Sequence, residues 1–203
     1  MGKGFVVAAS ALALLAAMGV AACGSSNDNS ADQDQITQAI TASATSGDPS
    51  ACTKYQTVRF DQQTSSGQGQ VAVRSCERDA AQTAADKVEV TDVNVDGDNA
   101  TAKVKATGSI FNGQTLDVAL VKENGQWKLD QFKGFEDFNR DAMITAFRQQ
   151  LAQETGNRPQ AVSCIVQQFQ AASDQDIEAT FTSSDPQAEN RLFGPCAKYF
   201  QGQ

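Results

Sequence analysis

Apolar and polar residues alternate through the middle of the chain, over residues 87–132. Four alternating segments lie there, namely KVEVTDVNV, ATAKVKATGSIF, QTLDVALVKE and QWKLDQF, and they are separated by DGDN, NG and NG. Alternation at a period of two is typical of strands with one buried face. Asn-Gly between such segments favours a tight hairpin, because both turn residues accept positive φ. The pattern therefore predicts a four-stranded antiparallel meander.

The alternation also predicts which face of each strand is buried. We expect one face to carry Ala102, Val104, Ala106, Ile110, Leu116, Val118, Leu120, Trp127 and Leu129. The opposite face would carry Phe111, Ala119, Val121 and Phe132, so that part of it would also be covered. In the first strand the apolar phase slips between Val90 and Val93. This slip predicts a β-bulge near Thr91 and Asp92, and bulges bend sheets.

Before the meander, apolar residues recur at helical spacing. The first predicted helix spans residues 32–44. A second helix should begin with Asp48 as its N-cap and Pro49 at its first position, and continue past Tyr55 toward Phe60. These elements place helices in front of the sheet.

Helical patterns also lie directly before and after the predicted sheet in the sequence. Residues 65–70, SSGQGQ, predict a flexible loop, and residues 71–85 predict a third helix. After the sheet, residues 137–203 carry several short amphipathic segments that predict a small helical annex. The fold class is therefore predicted to be α+β: helices packed on a curved meander over residues 32–133, followed by the annex.

The first residues of the chain have the layout of an export signal. Lys3 supplies a positive start, and residues 5–22 form an almost continuous run of small and apolar side chains. A transmembrane helix is the alternative, since about 18 apolar residues reach the lower limit of a span. Alanine and glycine dominate the run, however, and no Lys or Arg cluster follows it. We therefore predict that residues 1–22 are removed.

The sequence VAAC at residues 20–23 resembles the lipobox of bacterial lipoproteins. That resemblance implies that Cys23 is acylated and becomes the mature N-terminus, anchored at the extracytoplasmic face of the cell membrane. An ordinary secretory leader cut near Ala22 is the alternative. Residues 23–31 are polar and are expected to act as a flexible tether.

The charge of the chain disfavours two classes of partner. The full chain has 16 basic and 24 acidic side chains, and the leader contains a single charged residue, Lys3. The mature chain is therefore clearly acidic. A nucleic-acid partner is disfavoured because phosphates require a basic face. Electrostatic attraction to anionic lipid is disfavoured for the same reason, so the predicted membrane contact is the lipid anchor.

Export would place the remaining cysteines in an oxidising compartment. Four remain once Cys23 is acylated, and four cysteines allow three pairings. The local pairing is favoured because each loop then lies within one compositional region: Cys52 with Cys76, and Cys164 with Cys196. A zinc site or a redox pair is the alternative, but the chain has neither CxxC spacing nor any histidine. No metal or cofactor is expected.

Helices followed by a meander that is introduced by VEVTDVNVDGDNATAKV and closed by VKENGQWKLDQF resemble the nuclear transport factor 2-like fold of actinobacterial-type lipoproteins. The resemblance covers residues 32–133. It implies a cone-shaped domain with a pocket between sheet and helices. It also implies three classes of function: a noncatalytic envelope module that binds another protein or a cell-wall component, a carrier or sensor of a small apolar ligand, or an enzyme.

The enzyme class is the least favoured of the three. The chain has no histidine, and its only phenols are Tyr55 and Tyr199. Asp117 and Asp130 are out of phase with the apolar positions of their strands, which places both on the outer face. We therefore predict a noncatalytic, lipid-anchored binding module, with the small-ligand carrier as the alternative.

Three further residues have a structural and a functional interpretation. Trp127 is expected to be a core residue whose indole N–H needs one acceptor, rather than a ligand platform. Arg59 and Arg74 flank the predicted Cys52–Cys76 disulfide and are suited to binding an anion. Ion pairing with the nearby carboxylates is the favoured interpretation, the candidates being Asp61, Glu77 and Asp79.

Overall fold

The structure is a computed structural model that describes residues 29–154, 159–183 and 186–199. The predicted leader, the predicted acylation site Cys23 and residues 23–28 of the predicted tether lie outside the described residues. Helices come first, an antiparallel sheet follows, and further helices end the chain. The predicted α+β class is confirmed.

Four helices precede the sheet: α1 (Ser30–Thr45), α2 (Ser50–Tyr55), α3 (Val58–Thr64) and α4 (Gln70–Thr83). The continuous second helix of the prediction is wrong, because α2 and α3 are separate. Gln56 between them has an extended backbone and forms a parallel bridge with Leu129 of the sheet. Thr57 then caps α3 by accepting a hydrogen bond from the backbone N–H of Phe60 at 3.3 Å. A tertiary contact therefore interrupts a helical pattern.

The sheet contains β1 (Lys87–Asp96), β2 (Asn99–Thr107), β3 (Thr115–Glu123) and β4 (Gln126–Phe135), in the order β1-β2-β3-β4. All three pairings are antiparallel, as the alternation predicts. The β1/β2 register shifts between Thr91 and Asn94, and Asp92 has a φ of 51°. The predicted bulge in β1 is confirmed. The second predicted strand is shorter than expected and ends at Thr107. The tight hairpin predicted at Asn112 and Gly113 is therefore wrong, because residues 108–114 connect β2 to β3.

Two further bulges in β4 correct the predicted face of Phe132. Leu120 pairs with Leu129, Val118 with Phe132, and Leu116 with Phe135, so β4 carries one extra residue between successive pairs. Each extra residue inverts the alternation. Phe132 therefore lies on the inner face with Val118, where it is 2% exposed, instead of on the opposite face.

Phe111 was also predicted on the opposite face, and this prediction is wrong as well. Phe111 follows the end of β2 and lies in the turn before β3. Its ring packs against Phe132 at a centroid distance of 5.8 Å and against Phe181 at 5.5 Å. It therefore joins the core on the helix side of the sheet.

The helices after the sheet are α5 (Arg140–Glu154), α6 (Pro159–Ala171), α7 (Asp174–Thr182) and α8 (Pro186–Phe193), followed by a 3₁₀ helix (Gly194–Tyr199). Helix α7 packs against β4 and α3. Its N-cap Ser173 accepts a hydrogen bond from the N–H of Asp176 at 3.1 Å. Phe181 on α7 meets Phe135 of β4 with ring centroids 6.2 Å apart. The annex therefore contributes to one hydrophobic cluster that also includes the sheet and α1.

Within the described part of the chain, none of the helices combines the length and the apolar character that crossing a bilayer requires.

Candidate functional site

A cavity of about 490 Å³ lies between the inner face of the sheet and the helices. Six apolar side chains of the strands form its sheet wall: Val88, Val104, Ala106, Leu116, Val118 and Leu129. These positions face the cavity because alternate residues of a strand point to one side of the sheet. Five rings form much of the remaining apolar lining: Phe60, Phe111, Phe147, Phe181 and Phe193.

Helices from both ends of the chain complete the walls. Ile40 and Ala44 come from α1, and Ala80 comes from α4. Phe147, Phe181 and Phe193 come from the annex helices α5, α7 and α8. The sequence predicts apolar stripes on these helices but not the space that they enclose, because a cavity depends on how faces from distant segments fit together.

The disulfide between Cys52 and Cys76 joins α2 to α4 in the cavity wall. The loop at residues 65–69 lies within the segment that this disulfide closes, and its residues 65–68 also line the cavity. Gly67 in this loop has a φ of 102°, and a Cβ atom there would lie 2.6 Å from the Cγ1 of Val71. Glycine is therefore required at this turn. The second predicted disulfide, Cys164–Cys196, is also present and joins α6 to the 3₁₀ helix.

Gln63 on α3 is a buried polar group in the cavity wall whose hydrogen bonds go to the protein itself. Its Oε1 accepts a hydrogen bond from the backbone N–H of Phe132 at 3.0 Å. Its Nε2 donates to the carbonyl of Thr182 at 2.6 Å. Gln63 therefore ties α3 to both β4 and α7. The pattern of α3 gave no signal for this role, since both partners are backbone groups of distant elements.

In the described part of the chain, the charged residues that line the cavity are all acidic: Asp48, Asp79 and Glu189. Asp48 precedes α2, and its Oδ1 accepts a hydrogen bond from the backbone N–H of Ser50 at 2.9 Å. This bond holds the pKa of Asp48 below its usual range. Asp79 on α4 forms an ion pair with Arg78 at 2.7 Å. Asp48 and Glu189 are solvent-exposed, so each lies where the cavity meets solvent.

Asp61 is a buried carboxylate that the sequence assigns only as an ion-pair candidate. It is 1% exposed on α3, and it does not line the cavity. Burial raises the pKa of Asp61 to about 7; Glu77 raises it further, and Lys128 opposes the shift. Among the described residues, its Oδ1 is the buried side-chain oxygen that has no hydrogen-bond partner. The residues around Asp61 in the sequence gave no indication that its side chain would be buried.

The predicted pairing of Arg59 with a near neighbour is wrong. Arg59 pairs with Asp130 of β4 at 3.1 Å, and Thr57 donates a hydrogen bond to the same carboxylate at 2.9 Å. Asp130 therefore holds the start of α3 against the sheet. The carboxylate of Asp79 is taken by its chain neighbour Arg78. Arg74 is exposed on α4.

Trp127 is a core residue, as predicted. It is 1% exposed, and its Nε1 donates a hydrogen bond to Asp32 of α1 at 2.9 Å. Lys122 donates to the same oxygen of Asp32 at 2.6 Å. The Lys122 hydrogen bond, followed by the Trp127 hydrogen bond, lowers the pKa of Asp32. This group fastens α1 to the sheet and does not line the cavity.

The catalytic candidates that the sequence offers do not line the cavity. Asp117 pairs in register with Lys103 of β2, and neither Asp117 nor Asp130 lines the cavity. Tyr55 and Tyr199 are half-buried against the core, also outside the lining. In the described segments, no group of three or more His, Cys, Asp or Glu side chains is arranged to hold a metal ion.

Comparisons with protein-family models, curated proteins and solved structures found no match to this chain.

Proposed function

We propose that this protein holds a small apolar ligand in the cavity between its sheet and its helices, as a noncatalytic carrier or sensor. The observation that carries the proposal is a largely apolar cavity of about 490 Å³ beside a continuous hydrophobic cluster. Volumes of about 300 to 1,000 Å³ with apolar linings are typical of sites for small ligands. Filling such a space with side chains would stabilise the protein, so a space that is left unfilled indicates a site for a ligand.

The sequence favoured an interaction module with a protein partner, with the carrier as the alternative. The cavity reverses that preference. A module that binds proteins is expected to have a filled interior and a contiguous apolar surface patch. The large apolar side chains exposed in the described residues are Val58 and Val71, which are 40% and 52% exposed. The carrier therefore accounts for more of what the fold contains.

We further propose that the carrier is exported and anchored by lipid on Cys23 at the extracytoplasmic face of the cell membrane. Support comes from the apolar leader, the VAAC sequence and the polar segment that follows it. The two disulfides add support, since such bonds persist in oxidising compartments. A nuclear transport factor 2-like relationship also remains part of the proposal, and the order of helices and meander is consistent with it.

The test uses the chain exported with an ordinary secretory leader and carrying Cys23→Ser, so that it is released without lipid. Native and denatured mass spectra would be compared for a co-purified ligand. Binding of N-phenylnaphthylamine, a neutral apolar dye, would be measured by fluorescence after delipidation. We expect saturable binding of one dye molecule per chain.

A matched pair of variants locates the binding. Ala106→Leu adds three carbons to the cavity wall, whereas Ala119→Leu adds them to the half-buried outer face of β3. We expect Ala106→Leu to weaken dye binding by about tenfold, which is ~1.4 kcal/mol, without lowering the unfolding midpoint. Ala119→Leu should leave binding unchanged. Equal effects of the two variants, or absence of any bound ligand and dye, would refute the proposal.

A further inference from the structure

We infer that the cavity selects an apolar ligand whose polar end is uncharged or cationic, and rejects the same apolar chain ending in a carboxylate or a phosphate. This inference rests on the proposed carrier function and names the chemical class of its ligand. It follows from two features of the lining: the hydrogen bonds of its buried polar groups, and the sign of its charges.

The buried polar groups of the wall are already satisfied by the protein. The amide of Gln63 is bonded to Phe132 and Thr182. The hydroxyl of Thr180 donates to the carbonyl of Asp176 at 2.9 Å. Because these side chains already donate their hydrogens to the protein, an acceptor headgroup such as a carboxylate or a phosphate would have to displace one of these bonds, which costs more than the headgroup regains. The deep part of the cavity therefore suits an apolar chain, and a polar end belongs at the opening.

The charged groups at the opening are carboxylates. Asp48 and Glu189 line the cavity and are exposed, and the hydrogen bond from Ser50 keeps Asp48 ionised. No Lys or Arg belongs to the lining in the segments that the structure describes. The Arg78 that partners Asp79 stands outside the lining. Lys54 acts on Asp48 through its charge and also lies outside the lining. An incoming anion therefore meets charges of its own sign within the described lining.

The physical consequence is a preference between ligands of equal apolar area. A carboxylate at the opening loses hydrating water and is repelled by the carboxylates there, and both effects weaken its binding. An alcohol pays no charge penalty, and an ammonium group gains attraction to Asp48 and Glu189. The net charge of −8 on the chain acts in the same direction over a longer range.

The test measures displacement of N-phenylnaphthylamine by decanol, decanoate and decylammonium, all below their micelle concentrations, from the exported chain carrying Cys23→Ser. The three probes share one alkyl chain and differ only in the polar end. We expect decanoate to bind at least tenfold more weakly than decanol, and decylammonium to bind at least as tightly as decanol. Added salt should reduce the difference in affinity between decanol and decanoate, because salt screens exposed charges.

A double variant assigns the effect to the opening. Asp48→Asn with Glu189→Gln should restore decanoate binding to within about threefold of decanol and leave decanol itself unchanged. The asparagine retains an oxygen that accepts from Ser50, so the turn before α2 is preserved. Glu89→Gln with Asp96→Asn is the control, because these exposed residues of β1 change the net charge equally but lie outside the lining.

Each outcome separates the two proposals. If decanoate binds as tightly as decanol, the inference about ligand class is overturned and the carrier function stands. If the control pair restores decanoate as well as the opening pair does, net charge is responsible, and the assignment to Asp48 and Glu189 is overturned. If neither the dye nor any of the three probes binds, the carrier proposal fails, and the ligand class fails with it.

Discussion

Two polar residues on α3 show how differently a buried position is used. Gln63 is bonded through both ends of its amide, and it connects three elements. Asp61, two positions earlier, is buried even more completely, but one of its oxygens has no partner. A buried polar group without a partner costs free energy, and a charged one costs more. Asp61 is therefore expected to weaken the fold when it is ionised.

The first prediction concerns the pH dependence caused by Asp61. Its pKa is about 7 in the folded protein and close to 3.8 in the unfolded chain. Between these values the folded state retains a proton that the unfolded state has lost, so the free energy of unfolding falls as pH rises. Asp61→Asn removes this titration. We expect its stability relative to the wild type to increase by about 2 to 3 kcal/mol from pH 5 to pH 8.

The measurement is urea unfolding of both proteins at several pH values. Asp34→Asn is the control, because Asp34 is exposed on α1 and its replacement is expected to change stability by less than about 0.5 kcal/mol at any pH. A wild type and an Asp61→Asn variant whose stabilities stay parallel across the range would show that Asp61 is ionised without cost.

At the scale of elements, α2 and α3 are short helices that are held by contacts with α4 and the sheet. Helices of six or seven residues, such as α2 and α3, are not stable alone in water. The Cys52–Cys76 disulfide joins α2 to α4, Asp130 holds the start of α3, and Gln56 pairs with β4. Because α2, α3 and α4 also form part of the cavity wall, the contacts that hold them in place should determine the shape of the cavity.

The second prediction concerns the Cys52–Cys76 disulfide. Replacing both Cys52 and Cys76 by alanine opens a loop of 24 residues in sequence separation. We expect a loss of about 3 kcal/mol in the free energy of unfolding, together with weaker dye binding. The double replacement of Cys164 and Cys196 is the matched comparison, with a separation of 32 residues and no cysteine in the cavity lining. It should cost similar stability but change dye binding less.

Guanidinium unfolding and dye titration of both double variants, without reductant, provide the two readouts. An equal loss of dye affinity in both variants would mean that the affinity follows overall stability. In that case the disulfide between α2 and α4 would have no particular role in shaping the cavity.

At the scale of the whole molecule, the annex completes the core of the sheet domain. Phe181 packs against Phe111 and Phe135 at centroid distances of 5.5 and 6.2 Å. Phe132 and Phe135 pack edge to face at 5.1 Å. The sequence divides the chain at residue 137 by composition, but the hydrophobic cluster continues across that boundary. The residues before it are therefore expected to depend on those after it.

The third prediction tests this dependence by ending the chain at residue 136. Exposing Phe111, Phe132 and Phe135 costs about 1.5 to 3 kcal/mol each, which together approach the total stability of a typical domain. We expect the fragment of residues 29–136 to lack a cooperative thermal transition and to bind hydrophobic dyes without saturation. Residues 29–203 serve as the control. A cooperative transition in the fragment would instead establish the annex as a separate domain.

The sequence by itself determined the features that depend on neighbouring residues. Alternation and the Asn124-Gly125 turn gave the meander, and the phase slip after Val90 gave the bulge in β1. The position of each cysteine pair within one compositional region gave both disulfides. The buried position expected for Trp127 was correct for the same reason, since β4 alternates regularly from Trp127 to Leu129, before its first bulge. Local geometry decides these features, and local geometry is readable from short patterns.

Only the tertiary structure decided the features that depend on distant partners. The bridge of Gln56 with Leu129 divided a predicted helix, and the two bulges of β4 moved Phe132 to the inner face. The partner of Arg59, the burial of Asp61 and the cavity itself also depend on how separate elements meet. A sequence pattern indicates that a face is apolar. Whether that face is filled or left open depends on the volumes of side chains that approach it from elsewhere in the chain.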